Sequence, residues 1–178
     1  PGRPTISEHR YPKDSIFFPI QNGKASLLTK LNVNIITAAE QQTMNYYMNV
    51  ANLYQVSDIG RKLYQEIGMI EEEHVSQYES LIDPDATWLE SLLMHEYTEC
   101  YLYYSCMMTE CDASIRRIWE DCLTQEISHL HKAKELLWKY EQKEYQQVVG
   151  EGTFPEILAL RPNIRYVRKV LETTAGNT

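Results

Sequence analysis

The sequence predicts an all-α protein centred on a four-helix bundle, and three observations carry that prediction. Only one proline, Pro84, falls between Lys24 and Glu144, a stretch long enough for four helices. Across it the apolar residues recur at steps of three and four, the period of a helix with one buried face. The stretch also repeats itself: "GRKLYQEIGMIEEEH" at 60–74 parallels "IRRIWEDCLTQEISH" at 115–129, matching Leu63 to Ile118, Tyr64 to Trp119, Glu71 to Glu126 and His74 to His129. Upstream, Glu40 and Tyr47 parallel Glu96 and Tyr103, and the first glutamate precedes the second by 31 residues in one half and 30 in the other. Two helical hairpins of one pattern make four helices.

In order, residues 1–24 hold four of the seven prolines and read as an irregular arm. The first helix is expected over 26–55, stopping near "VSD", and the second from Asp58, a good N-cap, to 82. "DPD" at 83–85 breaks the chain; the third helix then follows Asp85 to about 110, and the fourth follows "CDAS" to about 144. The bundle thus occupies 25–146, and 147–178 form a loop, "VVGEGTFP", and a short terminal helix. That last segment, "IRYVRKVLE", is amphipathic and basic enough to be expected across the acidic bundle.

Composition narrows the function classes. The chain has 178 residues, 43% hydrophobic, and 25 acidic against 17 basic side chains, a net charge of −8 that argues against nucleic-acid or anionic-membrane partners. No apolar run reaches the length of a membrane span, and the first residues show no signal-peptide apolar region. Cys100, Cys106, Cys111 and Cys122 fit no C-x-x-C metal or redox spacing and read as reduced core residues, which points to a cytoplasmic protein.

The acidic residues are not confined to the polar faces. The expected buried stripe of the second helix runs through Leu63, Ile67, Ile70, His74 and Tyr78, with Glu71 beside it; that of the fourth runs through Ile118, Cys122, Glu126, His129 and Ala133. Glu40 interrupts the apolar face of the first helix, and Glu96 and Glu99 that of the third. Burying ionised carboxylates costs several kcal/mol each, and clustering them costs more, so the set requires a cation that no Lys or Arg of these stripes supplies. A metal answers the requirement, because residues i and i+3 share a helix face and Glu-x-x-His aims a carboxylate and an imidazole at one centre. Measured from the three turns, the ligand positions of neighbouring helices agree in height to within about 3 Å, so one shared site is geometrically open. The candidate ligands are Glu40, Glu71, His74, Glu96, Glu99, Glu126 and His129. Carboxylate-rich ligation suits iron or manganese better than copper or structural zinc. Glu72, Glu73, His9 and His131 read as solvent-facing.

Glu40, "EEEH" at 71–74, "HEYTE" at 95–99 and "EISH" at 126–129 together resemble the ferritin-like di-iron carboxylate proteins, rubrerythrins most of all, over residues 30–140. The resemblance implies a ferritin-like bundle holding two iron (or manganese) ions. Glu71 and Glu126 would bridge or flank them, Glu40, Glu96 and Glu99 would be mostly terminal, and His74 and His129 would complete the set. It further implies reduction of hydrogen peroxide, with dioxygen as the other candidate oxidant. The four-cysteine rubredoxin domain that usually accompanies rubrerythrins is missing, so electrons are expected from a separate donor protein. Tyr47 and Tyr103 are candidate catalytic residues supporting ligand carboxylates. Ferritin-like folds join the second and third helices by a long crossover, whereas "LIDPDAT" has room only for a tight turn. Either the bundle runs up-down-up-down, or hairpins are exchanged between chains, and a homodimer is the expected assembly. A ferroxidase or iron-handling protein, a manganese catalase, an oxygenase and a metal-free helical interaction module are the competing readings.

Overall fold

The computed structural model describes residues 18–53, 57–159 and 162–174, and among them there are six helices and no strand. They are α1 (Leu27–Leu53), α2 (Asp58–Glu79), α3 (Trp88–Thr109), α4 (Ala113–Glu141), α5 (Gln146–Val149) and α6 (Ile164–Thr174). The caps lie close to their expected places but not on them. Ser57, one residue before Asp58, caps α2 by accepting from the Gly60 N–H, leaving Asp58 in the first turn where its charge suits the helix dipole. Thr87 rather than Asp85 caps α3, in a capping box with Glu90. Asp112 caps α4 by accepting from the Ser114 and Ile115 N–H groups, and Gln142 ends it in the left-handed region.

The helices pair as two hairpins. α1 lies along α2 and α3 along α4, while α1 and α5 also touch α3; α2 and α4, which carry the two Glu-x-x-His pairs, do not pack on each other. The main core joins the start of α1 to the second hairpin through Leu31, Leu93, Tyr97, Tyr101, Leu137 and Val149. The Lys30 ammonium, also buried, donates to the Val148 carbonyl at 2.8 Å. A second interface holds α1 to α2 around Met44, Ala51, Gly68 and Val75. Gly68 brings α2 close to α1 there: a Cβ would stand 3.1 Å from the Met48 sulfur, so any larger residue would make the Met48 side chain shift.

Four expectations change. On α2 the buried face is Gly68, Glu72 and Val75, whereas Leu63 and Ile70 of the expected stripe are about half exposed. The cause is the separation of the hairpins: among the described residues the helix packed along α2 is α1, and α2 buries the face turned to it. Glu72 therefore lies fully inside instead of on the surface. The terminal α6 does not lie across the bundle, and Ile164, Tyr166, Val167 and Leu171 are exposed. Finally, all four cysteines are free, but only Cys100 is fully buried; Cys111, in the turn between α3 and α4, is exposed.

Candidate metal centre

The hairpin geometry gathers six of the seven expected ligands into two triads. In the first, Glu40 of α1 meets Glu71 and His74 of α2; in the second, Glu96 of α3 meets Glu126 and His129 of α4. Within each triad one donor atom per residue lies within 4.8 Å of the other two. One helical turn separates the glutamate and histidine of each Glu-x-x-His pair, so α2 and α4 each present two donors on one face, and the neighbouring helix adds the third.

The internal repeat reappears as matching geometry. His74 Nδ1 lies 3.1 Å from Glu71 Oε2 and 3.3 Å from Glu40 Oε2. His129 Nδ1 lies 2.9 Å from Glu126 Oε2 and 3.7 Å from Glu96 Oε2. In both, the same ring nitrogen turns toward two carboxylates. The four glutamates are mostly enclosed while His74 and His129 remain open to solvent, His129 more so.

The electrostatics leave room for a cation. Burial, with the Glu71 carboxylate beside it, holds the Glu40 carboxyl above the usual range, against the pull of His74. Burial likewise raises Glu96, where Glu126 adds to the shift and His95 and His129 oppose it. The hydrogen bond to Glu126 raises the His129 imidazole. Among the described residues no lysine or arginine forms an ion pair with Glu40, Glu71, Glu96 or Glu126. Two oxygens and one nitrogen per triad fit a hard divalent ion such as iron or manganese and leave further coordination positions free.

The remaining candidates surround the triads. Glu99 is not a member of the second triad; burial raises its carboxyl, with nearby Glu126 adding and His95 opposing. Tyr103 packs 6.1 Å from the Trp119 ring, and burial followed by the Glu99 charge raises its phenol. Tyr47 stacks on Tyr64 at 5.8 Å and meets Tyr46 edge-on at 5.4 Å. Among the described residues neither Tyr47 nor Tyr103 hydrogen-bonds a ligand carboxylate. His95 and His131 are exposed, and His9 lies outside the described residues. The second triad opens on a shallow cavity of about 290 Å³ lined by Glu96 and His129 together with Leu92, Ala133 and Leu136. The one shared site expected from ligand heights is thus two separate triads within the chain. Sequence reasoning missed Glu72; its signal was Gly68, whose spacing to residues 72 and 75 marks the face that lets α1 approach.

No family model, no curated protein and no solved structure matches the chain.

Proposed function

We propose that this protein is a di-metal carboxylate oxidoreductase, holding iron or manganese on the two Glu-Glu-His triads and reducing hydrogen peroxide with electrons from a separate donor protein. The observation that supports this most is the duplication: two triads of identical composition, with the same imidazole nitrogen facing two carboxylates, and among the described residues no lysine or arginine paired with them. Like-charged carboxylates gathered at a helix interface are costly without a cation, and having the same arrangement twice makes a chance surface cluster a poor account.

In this reading Glu40, Glu71 and His74 hold one ion and Glu96, Glu126 and His129 the other. The bound ions supply the redox couple and Lewis acidity that reduction of peroxide to water needs. The chain fixes the donors on rigid helices, so little reorganisation is required on loading. Glu99, close to Glu126, is a further carboxylate beside the second triad, and the Tyr103 phenol lies near the charges of both. A ferritin-like relationship between the four long helices belongs to the same proposal.

The test is elemental analysis of anaerobically purified protein beside a Glu71→Ala, Glu126→Ala double variant, followed by addition of peroxide or oxygen to the reduced protein. About two iron or manganese ions per chain, lost in the variant, with faster oxidation by peroxide, is the expected result. Absence of metal after reconstitution would retire the reading, and oxidation of added Fe(II) by oxygen alone would turn it toward iron handling.

A further inference from the structure

The two triads belong to hairpins whose Glu-x-x-His helices, α2 and α4, do not pack along each other. Eight residues, 80–87, join α2 to α3, and fully extended they reach at most about 28 Å. The 22-residue α2 is about 33 Å long, so this connection cannot carry the chain back along it to lay the second hairpin beside the first in ferritin-like order. The connection is also tied down. The Ile20 N–H donates to the Leu81 carbonyl, the Asn22 N–H to Asp83 at 2.7 Å, and the Thr87 hydroxyl to Glu141 at 2.7 Å.

The faces left open are apolar around the triads. On α2, Ile59, Leu63 and Ile70 are 81%, 53% and 52% exposed on the side that carries His74; on α4 the corresponding Ile118, on the side of His129, is 52% exposed.

We propose that two copies of this chain associate with the α1–α2 hairpin of each facing the α3–α4 hairpin of the other, so that every complete two-metal site takes one triad from each chain. The pairing follows from closure. Because the hairpins repeat one pattern, like could also pair with like, but that needs two different self-complementary interfaces, whereas a single unlike interface, used twice, covers both hairpins. Unlike hairpins facing each other across a twofold axis close as a dimer with two identical sites and no open apolar face on α2 or α4. The completed site rests on the di-metal reading above, whereas the interface stands without it.

The first measurement is the solution mass of the full chain in chelator, by light scattering on a sizing column. Two chains are expected, and a Leu63→Glu, Ile118→Glu variant should run as one chain with its far-UV helix signal unchanged. A monomeric wild type, or a variant that stays dimeric, would overturn the interface. The second is complementation: a chain carrying Glu40→Ala and Glu71→Ala is co-expressed with one carrying Glu96→Ala and Glu126→Ala, and the mixed dimer is isolated with two tags. In the proposed pairing one site of the mixed dimer has both triads intact and the other has neither. Added Mn(II) should then give an exchange-coupled pair by electron paramagnetic resonance, and isolated ions alone would refute the pairing. Should the wild type take up no metal, the di-metal reading fails while the mass measurements still decide the interface.

Discussion

Thr87 sits where the short connection becomes α3, and removing its hydroxyl should cost about 2–3 kcal/mol. Its oxygen accepts from the Glu90 N–H at 3.2 Å as the helix cap, and its O–H donates to the Glu141 carboxylate at 2.7 Å, linking the start of α3 to the end of α4. Loss of a threonine cap costs about 1 kcal/mol, and loss of a hydrogen bond to a charged acceptor about 1.5–3 kcal/mol. Glu141 is one-fifth exposed, which favours the lower end. For a chain of this length that is a fall in melting temperature of roughly 5–10 °C. Lys143 completes the cluster, at 2.9 Å from Glu90 and 3.2 Å from Glu141. Burial pushes the Glu90 carboxyl up, but the Thr87 N–H and the Lys143 ammonium outweigh it and hold it below its ordinary value. A carboxyl lowered in the fold contributes stability that is full above its unfolded pKa and is lost as pH falls through the folded one. Wild-type stability should therefore decline on acidification below the ordinary carboxylate range, and Lys143→Met should flatten that decline. Urea unfolding at neutral pH and melts across the acid range measure both effects. A cost below about 0.5 kcal/mol for Thr87→Ala, or failure of Thr87→Ser to restore most of the loss, would refute the reasoning. Metal content should not change, because Glu96 is nine residues along the helix, about 13 Å away.

Three further outcomes follow from the same structure. Tyr101, fully buried, donates its hydroxyl to the Glu156 carbonyl at 2.7 Å, so Tyr101→Phe should cost about 1–2 kcal/mol in urea unfolding; an unchanged midpoint would mean that residues 154–158 dock without that bond. Glu40 and Glu96 are raised by burial and by neighbouring carboxylates. Their ionisation therefore weakens the metal-free fold at neutral pH, and the penalty is relieved as pH falls toward the ordinary carboxylate range. In chelator at neutral pH, Glu96→Gln should raise the melting temperature while reducing metal uptake; a lower melting temperature would count against the electrostatic account. Protons and metal then compete for the same oxygens, so apparent metal affinity in wild type should weaken on acidification.

The helices and the clustering of the candidate ligands were legible because their signals are local. A cap acts within three residues, Glu-x-x-His within one turn, and the repeat set the two halves in register. Consequently four long helices stand where the pattern placed them, and six of the seven candidate ligands gather in two clusters, with Glu99 just outside. Burial was less legible, because it depends on which helix lies opposite. The apolar residues of α2 at 63, 67 and 70 have the spacing of a core stripe, yet among the described residues the helix packed along α2 is α1, which covers 68, 72 and 75. A stripe marks a face that must be covered and is silent about which chain covers it. Glu72 shows the converse: a charge between two other glutamates reads as surface until the position of α1 is known. For α6 the amphipathic pattern holds, but among the described residues Ile164, Tyr166, Val167 and Leu171 stay exposed.

The repeat also explains why the site divides as it does. Each half of the chain carries a complete three-donor set on two adjacent, antiparallel helices, so a triad forms as soon as its own hairpin forms. Nothing in that step requires the other hairpin. What remains to be specified is the meeting of two triads, and there the eight-residue connection and its anchors at Leu81, Asp83 and Thr87 become decisive. A longer connection would let the hairpins fold back within one chain and close a monomeric bundle. The short one directs the second hairpin away and leaves both apolar faces waiting for equivalent partners. Inserting a flexible linker of about twenty residues after Pro84 should therefore shift the protein from dimer toward monomer without altering the ligands. Persistence of the dimer at low concentration would show that something other than connection length sets the pairing.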